Sequence, residues 1–85
     1  MTRHLIAWYL LATRAQIQAR RTLGYTVRRY RERHKMTQEG LAEKASLHPN
    51  YLGEVERGEK AATIDTLIKI AKALRIRARD LVWKV

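Results

Sequence analysis

Apolar residues recur along much of this chain at spacings of three and four, the pattern of helices that bury one face. Residues 3–22 read as one helix, with Leu5, Trp8, Ala12, Ala15 and Ala19 on one line and Ile6, Leu10 and Ile17 on a second. Apolar surface on more than one face needs cover, from this domain or from another subunit. Leu23-Gly24 interrupts the pattern weakly. One glycine costs a helix about 1 kcal/mol, so the helix either runs through this point or breaks at it. A helix over 25–34 follows, with Val27, Tyr30 and Arg31 inward.

Thr37 then reads as an N-cap, with Gly40 where a capping-box acid would stand. The helix from Gln38 to Ala45 would bury Leu41, Ala42 and Ala45. Ser46-Leu47 leaves room only for a tight turn. His48 is a weak cap, and Pro49 suits the first helical position, where its missing N–H costs nothing. That helix runs to Glu56 with Leu52 and Val55 inward, and Arg57-Gly58 closes it. Beyond a loop over 59–62, Thr63 caps a helix from Ile64 to Leu74 whose apolar face is Ile64, Leu67, Ile70, Ala71 and Leu74. A short last helix over 78–82 buries Leu81. The predicted fold class is all-α: five short helices with an extra N-terminal helix. The chain divides into a basic amphipathic extension, residues 1–22, and a domain, residues 23–85.

Composition narrows the choice of partner. Eighty-five residues allow one domain with a small core. The formal net charge is +10, and it is uneven: residues 1–35 hold nine Lys and Arg against the single acid Glu32. Such a chain is attracted to polyanions, nucleic acid or anionic membrane. The absence of cysteine excludes a disulfide framework and fits a reducing compartment, so a cytoplasmic location is expected. The longest apolar run, LIAWYLLA at 5–12, is far short of the roughly 20 residues of a membrane span. The TRAQIQARR that follows is basic and lacks a clean small-residue cleavage site, so a signal peptide is not expected.

Two short helices joined by a tight turn, with Ala42, Leu47 and Leu52 at their crossing, form a helix-turn-helix. A side chain larger than Ala42 would push the helices apart. Five pieces of this sequence carry a further resemblance: LGYTVRRYRE at 23–32, MTQEGLAEKA at 36–45, LHPNYLGEVERG at 47–58, TIDTLIKIAKAL at 63–74 and RDL at 79–81. With this spacing the chain resembles the lambda repressor/Cro-type (Xre-like) helix-turn-helix family. The resemblance implies a five-helix domain that binds operator DNA as a dimer, with the second motif helix in the major groove. Ser46 and Arg75 stand where that family often has glycine, so each is expected to adopt a left-handed conformation or to alter its turn.

The resemblance also implies roles. Pro49, Asn50, Tyr51 and Glu54 take the base-facing positions: Asn50 to pair with adenine, Glu54 to accept from a cytosine amino group, Tyr51 and Pro49 for apolar contact. Gln38 would bind a phosphate and brace the recognition helix. Thr37 and His48 mark helix N-termini whose free N–H groups suit phosphates. Arg57 and Lys60 are expected at the DNA backbone. Arg31 and Glu56 are expected to form a structural ion pair, with Glu56 inward, Glu54 outward and Gly53 keeping the surface low between them. Apart from the resemblance, the basic charge of the extension makes Arg14, Arg20, Arg21, Arg28 and Arg29 candidates to track flanking phosphates, the alternative being a solvated helical face.

No catalytic arrangement is visible. His4, His34 and His48 lack metal-ligand spacing, and there is no glycine-rich phosphate loop and no acid pair with an evident cleft. The chain is expected to be a regulator rather than an enzyme, with no cofactor and no metal. Its expected partners are a pseudo-palindromic duplex, a second copy of itself, and a further protein held through residues 5–12. An antitoxin and a restriction–modification controller are the alternatives within the same fold; a membrane partner is not expected.

Overall fold

The computed structural model describes residues 3–85, which form five helices: α1 (Arg3–Arg33), α2 (Gln38–Lys44), α3 (Pro49–Glu56), α4 (Ile64–Leu74) and α5 (Ala78–Val82). Among the described residues there is no strand. The extension and the first domain helix are one continuous element of 31 residues. At 1.5 Å per residue such a helix is about 46 Å long. It accounts for the longest dimension of the molecule, 49 Å against 23 and 20 Å across. Leu23 is the first buried residue of α1. Residues 3–22 form a projecting arm.

The core consists of Leu23, Val27, Leu41, Ala42, Ala45, Leu52, Ile70, Ala71, Leu74 and Leu81, with Tyr30, Met36, Leu47 and Leu67 packed against it. Ala42 and Leu52 are fully buried where α2 crosses α3, as the periodicity predicts. Ile64 differs from expectation: it is 75 % exposed. The inward place in the first turn of α4 goes to Thr66, which is buried. Its hydroxyl accepts a hydrogen bond from that of Thr63 at 3.0 Å and lies 3.4 Å from the Tyr51 hydroxyl. A buried hydroxyl so satisfied carries little penalty.

Four helices end in the same way. Just past each helix an N–H bonds back to the carbonyl five residues earlier: Met36 to Arg31, Leu47 to Ala42, Glu59 to Glu54, and Ile76 to Ala71, at 2.8 to 3.1 Å. In each case the preceding residue is left-handed: Lys35 (φ 55°), Ser46 (φ 56°), Gly58 (φ 73°) and Arg75 (φ 57°). This Schellman closure favours glycine, which has no Cβ to crowd the next carbonyl. Only one of the four has it. Lys35, Ser46 and Arg75 are exposed and their side chains have room. Gly58 does not have that room: a Cβ there would lie 3.0 Å from the Arg21 Cα. Ser46 and Arg75 therefore adopt the conformation their positions demand.

Candidate nucleic-acid interface

The path of α1 through Gly24 is set by α3. A Cβ at Gly24 would overlap the carbonyl oxygens of Val55 and Glu56. The glycine is therefore a point of close approach between α1 and the end of α3, and the helix runs straight through it. Gly58, resting on the Arg21 backbone, makes a second such point just beyond α3. Together they seat the C-terminal end of α3 on α1.

A buried ion pair fixes the rotation of α3. Arg31 donates from Nε to Glu56 Oε2 at 2.7 Å and from Nη2 to Oε1 at 3.0 Å. Its Nη1 donates to the Met36 carbonyl at 2.8 Å. Gln38 Nε2 adds a third bond to the carboxylate, 3.0 Å from Oε1. The side chains of Arg31 and Glu56 are 12 % and 2 % exposed. The hydrogen bonds it donates to Glu56 hold the Arg31 guanidinium above the ordinary arginine range, against the opposing effect of burial. α1, α2 and α3 thus meet at one carboxylate, as expected for Arg31 and Glu56. Gln38 is found as the brace, its amide nitrogen committed to Glu56.

With Leu52, Val55 and Glu56 turned inward, the opposite side of α3 is left outward. Pro49, Asn50, Gly53, Glu54 and Arg57 join Gln38 and Glu59 around a shallow hollow of about 320 Å³. Gly53 is its floor: a Cβ there would lie 3.0 Å from Arg57 Nη1 and 3.5 Å from Gln38 Oε1. Asn50 is exposed and Pro49 half-buried. Tyr51 is half-buried. Its hydroxyl donates to the Ala61 carbonyl at 3.2 Å, so the half-buried ring braces the α3–α4 loop.

The charged rim of the hollow is paired. Arg57 donates to Glu59 from Nε at 2.7 Å and Nη2 at 3.2 Å. This pairing raises Arg57 and lowers Glu59 from their ordinary ranges. Lys60 Nζ lies 3.5 Å from Glu54 Oε2. In the sequence the sole signal for Glu59 is its place two residues after Arg57. Thr37 Oγ1 accepts from the Gly40 N–H at 3.0 Å, and His48 Nδ1 from the Asn50 N–H at 3.1 Å, so both cap their helices as predicted. Arg20 and Arg21 part company. Arg21 is exposed beside Gly58, whereas Arg20 is half-buried and donates from Nε to the Gln16 carbonyl at 3.4 Å. Among the described residues no group of His, Cys, Asp and Glu is arranged to hold a metal ion, and no helix is long and apolar enough to cross a membrane.

Residues 27–81 match the helix-turn-helix family model HTH_3. The chain is 50% identical over 52 residues to control protein C.SmaI of Serratia marcescens, covering 61% of this chain and 62% of that protein. It is 39% identical over 59 residues to control protein C.BamHI of Bacillus amyloliquefaciens, covering 68% and 73%. An immunity repressor of Bacillus phage phi105 is 38% identical over 61 residues, which span 72% of this chain and 42% of the repressor. Thus the chain spans under two thirds of the length of some of these relatives. Among solved structures, the restriction-modification controller C.AhdI of Aeromonas hydrophila superposes with a TM-score of 0.72 at 34% identity, over 73% of this chain and 94% of that one. The clp gene regulator ClgR of Corynebacterium glutamicum gives 0.74 at 32%, over 78% and 70%. The chain belongs to the HTH_3 helix-turn-helix family, of the lambda repressor/Cro type.

Proposed function

We infer that this chain is a sequence-specific DNA-binding transcription regulator, a repressor that acts by occupying its operator with α3 in the major groove. One observation carries the reading: the outer face of α3 stands clear, while its inner face is fixed through Glu56 to Arg31 and Gln38. A major groove about 12 Å wide admits one helix, and a rotationally fixed helix presents the same side chains to every duplex. Asn50 pairs with adenine through its amide. Glu54 accepts from a cytosine amino group and repels phosphate in a wrong register. Pro49 and the ring of Tyr51 contribute apolar contact.

Arg57, Lys60, His48 and the N–H groups at Thr37–Gln38 hold phosphates. Arg57 and Lys60 would exchange Glu59 and Glu54 for DNA oxygens, and because ion pairs in contact with solvent are weak the exchange is cheap. A homodimer on a pseudo-palindromic operator completes the reading, in a cytoplasmic setting. Kinship with control proteins favours a controller of restriction–modification genes as the second reading. An antitoxin rests on a different observation. Trp8, Tyr9 and Leu11 are exposed near the tip of the arm, and such a surface suits a protein partner.

Selection of binding sites from random duplexes, at stated salt, tests the proposal. Two half-sites related by a dyad, about 10 base pairs centre to centre, are expected. Enrichment of no motif would refute it.

A further inference from the structure

The arginines of α1 are not scattered over its surface. Arg14, Arg21 and Arg28 are seven residues apart, so they fall within about 40° of one another on a continuous helix. Arg3, eleven residues before Arg14, falls within about 20° of it. Arg20 and Arg29 each lie about 100° off this stripe, on opposite sides of it. Arg29 is stacked over the Tyr25 ring at 5.9 Å, and Arg20 is tied to the Gln16 carbonyl.

The stripe has a definite neighbour. Gly24 and Arg31 mark the line on which α1 meets α3, and the stripe runs about 60° round from that line. Arg21 touches Gly58, so the stripe borders the turn that carries Arg57 and Lys60. The acids near it are few. Glu32 pairs with Arg28 at 3.3 Å, Glu59 is occupied by Arg57, and no acid precedes Glu32 in the chain. Arg14 and Arg21 therefore face solvent as cations with no carboxylate to neutralise them.

We propose that Arg14 and Arg21 form a second DNA contact, gripping the sugar–phosphate backbone beyond the segment read by α3, on the side of its C-terminal end. This rests on the DNA-binding reading above. From Arg21 to Arg3 the arm spans about 27 Å, the length of roughly eight base pairs at 3.4 Å each. The continuity of α1 through Gly24 holds the arm at a fixed angle, so the contact is made at a fixed distance from the operator.

The test uses the full chain and the selected operator, in a short duplex and in duplexes lengthened by four and by eight base pairs on each flank. Wild type is compared with an Arg14→Gln/Arg21→Gln double variant and with an Arg20→Gln/Arg29→Gln double variant of equal charge, each checked for helicity. Wild-type affinity is expected to rise with flank length. The first variant should lose that rise and lower the salt slope by about 1.8, so that its affinity falls about tenfold less than wild type between 50 and 200 mM salt. The second variant should keep the rise. Equal effects of the two variants, or wild-type binding that ignores flank length while the short duplex is still bound, would overturn the arm contact and leave the α3 reading standing. Failure to bind any duplex would overturn both. Wild-type binding that ignores flank length, together with Arg14- and Arg21-dependent binding to anionic phosphatidylserine vesicles, would assign the stripe to lipid instead.

Discussion

Glu56 is the residue on which the site depends, because one carboxylate accepts hydrogen bonds from Arg31 and Gln38 on two other helices. A buried charge that loses its partner is far costlier than the absence of both. Arg31→Met or Glu56→Gln alone is expected to cost about 3–5 kcal/mol in urea unfolding, and the double change clearly less than the sum. Additive losses would mean that the two charges do not depend on each other. Backbone strain offers a test of opposite sign. Ser46→Gly and Arg75→Gly each remove a side chain from a left-handed position. Each should stabilise the domain by about 0.5–1 kcal/mol, a rise of a few degrees in Tm. Gly58→Ala, at the same kind of turn but against Arg21, should do the reverse.

At the scale of elements, the helix bounds and caps were legible because each rests on local chemistry. Thr37, His48 and Thr63 cap where capping residues were read, and Pro49 opens α3. The core faces of α2 and α3 followed from spacing. What was not legible depends on packing between distant segments. Gly24 looks like a weak break in isolation, yet its role is set by Val55 and Glu56, more than thirty residues on. Ile64 has the right spacing for the core, but periodicity does not show where the core ends, and Thr66 takes the inward place. Tyr51 sits on the reading helix by sequence, and only the position of the α3–α4 loop reveals where its hydroxyl goes. The same packing gives a prediction for the element. Gly24→Ala forces α1 and α3 apart and should cost about 1–3 kcal/mol or more in thermal or urea unfolding. It should weaken operator binding even where the fold survives, since α3 loses its seat. A Gly24→Ala chain with wild-type stability would show that the approach is looser than described.

For the molecule as a whole, a small domain carries α3 on one side and a cationic arm, continuous with α1, that projects beyond it. On the proposed function the two would divide the work of recognition: base edges for α3, backbone charge for the rim and the arm. Net charge alone predicts attraction to any polyanion; sequence choice requires the fixed outer face of α3. The most direct test of that central claim is the base preference of an Asn50→Ala chain, measured by binding-site selection beside wild type. Asn50 is outward, so the fold should be unchanged. Preference should relax at one position of each half-site, by about 1–3 kcal/mol, with the remaining positions intact. An identical motif from both chains would contradict the account.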